Sequence, residues 1–413
     1  MYHDEAFKHL HRAIRVIQRS CFWKAYCFDL DVKKKHAISL ENGPKYRNFQ
    51  TLCNIFMFFL APAFLSRSFI LFTSPERETS TSTCVTFAVT LVVTGFVPLA
   101  WNLRQPSGTK KYVDVYEATL RLEKHFEALC QDFDLNPTSL QACKTCTKLM
   151  NSFFFGFDYI APLMFTIISF THASPVYATL KSFRNFERFG TLYSSFVLII
   201  SGIPTAIGGL FLMATMGTCF LISAYGVVCV YVWTFGIVPT TETFGLPFTT
   251  AIHMHNCLRY VAILHSELAR DFVTICLHHA ALVVLATVGM YNIIIELAKG
   301  NEMSVMLICI CVGLISVAVM LEIFSIYFIG ISSKESKRFV REMRRKYGDR
   351  YRQTVLKSLL PNCINLEVVS SVDTLKNGIQ MEYFINYFTR VTENTFNIRP
   401  TLYVVAEEVG PSA

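Results

Sequence analysis

Uninterrupted apolar stretches alternate along this chain with shorter polar, cationic ones, and the spacing predicts helices that cross a membrane. A crossing helix needs about 20 mostly apolar residues. Stretches 51–72, 84–101, 149–170, 272–297 and 303–331 qualify. Between the second and third lies YVDVYEATLRLEKHFEALCQDF, in which Val115, Leu120, Leu122, Phe126 and Leu129 recur among charges, the pattern of a solvated helix. The longest uncharged run, 189–241, contains no Asp, Glu, Lys, Arg or His and has room for two crossings.

Charge placement decides how many it makes. The N-terminal region is basic, with Lys33, Lys34 and Lys35 in a row, and so is 334–357, where Lys334, Lys337, Arg338, Arg341, Arg344, Arg345, Lys346, Arg350, Arg352 and Lys357 outnumber Glu335, Glu342 and Asp349. Cytoplasmic loops carry the excess of Lys and Arg, so an even number of crossings separates the two regions. The long run then supplies one crossing, at about 205–238, and the rest of it is loop or a helix extending beyond the bilayer. Gly202-Ile203-Pro204 and Gly208-Gly209 hint at a break in it.

The stretch IQMEYFINYFTRVTENTFN, 379–397, is a poor span by hydropathy because Glu382, Arg390 and Glu393 interrupt it. Wound as a helix it sorts into faces: Glu382, Asn386, Thr389, Glu393 and Asn397 recur at helical spacing, with Phe384, Tyr387, Phe388, Val391 and Thr395 opposite. Two readings fit: a seventh span lining a water-filled pore, or an amphipathic helix on the membrane surface. In a pore wall the two glutamates are acidic rings and Asn386 and Thr389 uncharged polar lining. Otherwise the glutamates sit at membrane boundaries, paired with Arg390 or solvated, and the other two hydrogen-bond between helices.

The fold expected is therefore an all-α polytopic membrane protein of seven transmembrane helices, N-terminus cytoplasmic and C-terminus extracellular. Its parts are a cytoplasmic segment at 1–50, a six-helix bundle at 51–331 with cytoplasmic loops 102–148 and 239–271, a basic linker helix at 332–372, a pore-lining helix at 373–397 and an extracellular tail at 398–413. Composition agrees, since 52% of the 413 residues are hydrophobic and 16% charged, against about 25% charged in soluble domains. The net charge of +8 raises a nucleic-acid reading, which the placement of the basic residues between spans excludes. Cys143 and Cys146 form a lone C-x-x-C, too little for a zinc site. His253, His255, His265, His278 and His279 form no catalytic constellation, and no Walker A loop, H-E-x-x-H or G-x-S-x-G occurs. The chain is not expected to be an enzyme, and no cofactor or metal is implied.

The C-terminal block carries a likeness. Leu359-Leu360-Pro361-Asn362-Cys363-Ile364-Asn365-Leu366, then Val372-Asp373, Glu382-Tyr383-Phe384 and Glu393-Asn394-Thr395-Phe396-Asn397, with the seven-span topology, resemble the insect-type gustatory and odorant receptor superfamily. The Thr-Tyr…Gln-Phe signature of many members is absent, and TRVTENTFNI stands there instead, so the resemblance is to a divergent arthropod gustatory-type member. It implies a plasma-membrane, ligand-gated, non-selective cation channel, a homo- or hetero-tetramer of related subunits opened by a small-molecule tastant or odorant. It implies a pore lined by the last helix of each subunit and a ligand pocket within the bundle. For that pocket Asp158, Tyr159, Phe165 and Phe170 of the third span are the candidates, as apolar aromatic walls with a polar group are typical. Packing for the aromatics, and an intramembrane polar partner or water for Asp158, is the competing reading.

Overall fold

The computed structural model describes residues 25–31, 36–40, 43–73, 80–132, 155–183, 190–243, 247–271, 275–298, 305–324, 330–359 and 386–395, with a few isolated positions. Helix dominates. In chain order the elements are the strands β1 (Phe28–Asp31) and β2 (His36–Ser39), then α1 (Pro44–Ile55), α2 (Ala61–Thr73), α3 (Ser80–Leu103), α4 (Pro106–Asp132), α5 (Ala161–Ser169), α6 (Pro175–Phe183), α7 (Thr191–Thr243), α8 (Phe248–Asp271), α9 (Ile275–Ala298), α10 (Val305–Phe324), α11 (Gly330–Lys346), α12 (Arg350–Ser358) and α13 (386–395). Among the described residues, three helical stretches are long and apolar enough to cross a membrane: Pro44–Leu71, Ser82–Leu103 and Thr191–Thr234. Leu282–Ala298 and Leu307–Ile323 are shorter apolar helices.

Among the described residues, two π-helical turns mark the apolar helices, at Phe56–Leu60 and Gly156–Ile160. Each leads straight into an Ala-Pro pair, Ala61-Pro62 and Ala161-Pro162. Proline has no N–H to give the carbonyl four residues back, and its ring crowds that carbonyl. A local widening of the helix relieves the conflict.

One departure from an all-helical fold lies in the N-terminal segment, where β1 and β2 pair antiparallel with Phe28 opposite Ser39. The hairpin is held on α4: the Ala37 N–H donates to Glu117 Oε1 at 2.8 Å, and His36 Nδ1 meets the same oxygen at 2.8 Å. Beside it the Tyr46 hydroxyl donates to the carbonyls of Leu103 (3.1 Å) and Arg104 (2.7 Å), so α1 clasps the corner between α3 and α4. Rings of Phe49, Phe56, Phe96 and Phe211 interlock above it, with Phe56 and Phe211 at 5.4 Å.

Helix α7 organises the rest. It runs unbroken through Gly202-Ile203-Pro204 and Gly208-Gly209, so the expected break is not there. At about 1.5 Å per residue it is on the order of 80 Å long, far beyond the roughly 30 Å of a hydrocarbon core. Its two halves have different surroundings. Leu192, Phe196, Ile199 and Ile203 are exposed apolar side chains, whereas nearly every residue from Phe211 to Thr234 is buried or partly so. The exposed apolar surface thus lies upstream of the crossing expected at 205–238. Hydropathy alone does not separate an apolar helix covered by protein from one covered by lipid.

The second half is covered by α4, α8 and α11. The 102–148 and 239–271 loops are in large part these helices, and α4 is not simply solvated. Tyr112, Val115, Tyr116, Thr119, Leu120, Glu123 and Phe126 are buried at helical spacing, while Lys110, Lys111, Asp114, Arg121 and Lys124 face outward. On α8 the buried positions are Phe248, Ala251, Met254, His255, Leu258, Val261, Ala262, His265 and Leu268. A core of Leu122, Phe126, Val230, Leu258, Phe339, Met343 and Leu356 joins α4, α7, α8, α11 and α12. This charged-faced layer encloses the end of an uncharged helix.

Candidate functional site

Helix α13 packs along α9 and α10. Tyr387 and Val391 are buried with Leu282, Val283, Leu285, Ala286 and Ala318, and the Tyr387 hydroxyl donates to the Leu282 carbonyl at 3.4 Å. Thr395, one turn on, is buried and its hydroxyl donates to the Val391 carbonyl at 2.6 Å. Burial at 387, 391 and 395 fixes the rotation of the helix. It leaves Asn386, Thr389, Arg390 and Glu393 exposed. The polar stripe and the docked face therefore separate largely as the helical spacing predicts. Phe388 is the exception: it is 42% exposed, its ring set edge-on to Tyr387, and it does not join the buried face. Among the described residues no ion pair joins Glu393 to Arg390, so that pairing does not explain the carboxylate. Glu382, Asn397, Cys143, Cys146 and the block 360–385 lie outside the described residues.

The aromatic candidates of the third span do not converge: Phe165 and Phe170 lie at separate points along α7, and Tyr159 lies elsewhere. Phe170 fills the notch at Gly202, where an added Cβ would stand 2.5 Å from the ring, and Phe165 fills the notch at Gly209 at 3.0 Å. These notches are two helical turns apart, about 10 Å. Tyr159 is 46% exposed, with its ring 5.1 Å from that of Phe155 and the Arg12 guanidinium 5.2 Å above it. Asp158 lies in the π-helical turn, four residues before Pro162. Packing of Phe165 and Phe170 onto glycine notches is the role visible in a single chain.

A polar cluster that spacing did not single out lies where α4, α7 and α8 meet. The Tyr225 hydroxyl donates to Glu123 Oε2 at 2.5 Å, and both residues are buried. Burial pushes the Glu123 carboxyl up to about 7, against the opposing effect of the Tyr225 hydrogen bond. One turn away, the Thr119 hydroxyl donates to the Val115 carbonyl at 2.8 Å, so its oxygen receives the N–H of His265 Nε2 at 3.3 Å. Burial holds His265 down at about 4. The same imidazole occupies the space of a side chain at Gly226, where a Cβ would come within 1.8 Å of it. His255, on the same helix, stacks on Phe339 at 4.8 Å and is likewise held down at about 4 by burial and, secondarily, by Arg259. His253 turns to the surface, with its Nε2 3.1 Å from that of His125. Among the described residues no group of three or more His, Cys, Asp or Glu is arranged to hold a metal.

No protein-family model matches the chain, and no curated protein matches it either.

Proposed function

We propose that the chain is one subunit of a ligand-gated cation channel of the chemosensory type, in the plasma membrane, with seven crossings, a cytoplasmic N-terminus and the pore lined by the helix containing α13. The observation that carries this reading is the rotation of α13. Its apolar side is spent on α9 and α10, while Asn386, Thr389 and Glu393 stay uncovered. A polar helical face is costly against lipid and suits a water-filled passage shared with further copies. Four copies of Glu393 around such a passage concentrate cations. A small tastant or odorant is the proposed ligand, and related chains are the proposed partners.

Expression of the chain in cells, alone and with related subunits, followed by patch-clamp recording across a tastant panel, tests this reading. Ligand-evoked cation current is expected. Glu393→Lys should lower divalent relative to monovalent permeability several-fold, with Arg390→Gln changing it far less. Unchanged permeation in Glu393→Lys removes that residue from the wall, and silence with confirmed surface expression removes the channel reading for the chain. Tags at the two termini should be accessible on opposite sides of the membrane.

A further inference from the structure

Helix α11 concentrates positive charge on one face, and that face borders a space. Lys337, Arg341, Arg344 and Arg345, with Val340, line a cavity of about 420 Å³, within the roughly 300–1,000 Å³ of small-molecule sites. Positions 337, 341, 344 and 345 fall on one helical face. The other face is anchored: Ser336, Phe339 and Met343 are buried. The acidic residues of α11 sit to one side of the basic face, where Glu335 meets Arg338 at 3.5 Å and Glu342 meets Arg345 at 3.0 Å. The cavity itself is lined by cations and one aliphatic side chain.

The C-terminal dipole of a helix favours cations in its last turn, which accounts for Arg344 and Arg345. It does not account for Lys337 and Arg341, which lie mid-helix. Arg344 is also fixed in place, its Nη2 donating to the Leu356 carbonyl at 3.1 Å, and Gln353 closes the helix end by donating to the Arg344 carbonyl at 2.8 Å. Within the basic face, Arg344 is therefore held in position.

We propose that this cavity binds a polyphosphorylated inositol group. Lys337 and Arg345 are separated by about 12 Å along the axis, more than one phosphate bridges, so the matching anion carries several phosphates spread over a ring. No aromatic side chain lines the cavity among the described residues, which gives a nucleotide base nothing to stack on. Guanidinium groups bind phosphate oxygens in pairs, and lysine adds a point charge. The ligand's phosphates come either from a phosphoinositide of the bilayer or from a free inositol phosphate.

The test uses the full-length chain in two settings. In nanodiscs, labelled phosphatidylinositol bisphosphate is titrated in. In detergent, inositol hexakisphosphate is titrated by calorimetry. Saturable binding is expected, weakened at least tenfold by Lys337→Gln with Arg341→Gln and weakened further by raised salt. Arg338→Gln, on the flank, should leave it within about twofold, the size of effect that a solvated charge exerts. Binding only in nanodiscs assigns the group to lipid, and equal binding in detergent assigns it to a free ligand. The single variant Arg341→Gln, at an exposed position, serves if the double variant does not fold. Absence of binding in both settings, or binding unaltered by Arg341→Gln and by the double variant, overturns the proposal.

Discussion

Gly226→Val abolishes recovery of folded protein. The Cβ that any substitution adds would lie 1.8 Å from both Cε1 and Nε2 of His265, and the imidazole is fully enclosed between α4 and α7. The ring has little room to swing aside, because Thr119 receives its Nε2–H and neighbouring Leu268 and Val261 are buried. Overpacking costs about 1–3 kcal/mol where neighbours yield, and here the contact is too close for a few tenths of an ångström to relieve. Gly226→Ala should lower the unfolding temperature measurably, and Gly226→Val should remove the monodisperse peak in size-exclusion chromatography. The decisive comparison is a double-variant cycle. His265→Ala makes space, so Gly226→Ala should cost far less in that background than in the natural one. If the two changes are additive, the steric account of this contact is wrong.

The same helix shows what was legible in the chain and what was not. The apolar run 189–241 marks α7 almost to its ends, and the stretches 272–297 and 303–331 contain nearly all of α9 and all of α10. The faces of α13 were readable because the helical period puts Tyr387, Val391 and Thr395 together, and tertiary packing uses that side. What hydropathy missed is the nature of the solvent. Phe211–Thr234 is as apolar as the residues before it, yet it is covered by α4, α8 and α11, most of whose charges face outward. Burial of Glu123 was also hidden, since one glutamate in LRLEKHFE looks like its solvated neighbours until Tyr225 and His265 are brought in from more than a hundred residues away. The glycines against which Phe165 and Phe170 of the third span pack lie on another helix, so spacing within the span does not reveal those contacts. The hairpin at Phe28–Ser39 rests on Glu117, about 80 residues further along the chain.

The buried cluster also sets how stability depends on pH, and the outcome depends on which groups win. Glu123 holds its proton in the folded protein up to about 7, against 4.5 ordinarily. Between those values the folded state binds the proton that the unfolded state has lost, so this group stabilises on acidification. His255 and His265 do the reverse: held at about 4 against 6.5, they stay neutral when folded and take protons when unfolded, so each destabilises on acidification. Each group contributes on the order of 3 kcal/mol at the end of its window. From pH 6.5 down to 4.5 the two histidines outweigh the one carboxyl, and unfolding takes up one net proton at these sites. The unfolding temperature should therefore be highest near pH 6.5 and fall below it. Glu123→Gln removes the opposing group and should make the acid limb steeper, approaching two protons, while stability at pH 8 is retained or raised because no buried carboxylate must ionise. His265→Gln should flatten the limb, whatever cavity cost it adds at every pH. Thermal unfolding of the purified protein between pH 5 and pH 8 decides this: an acid slope identical in Glu123→Gln and the natural chain means that the carboxyl does not hold its proton in the fold.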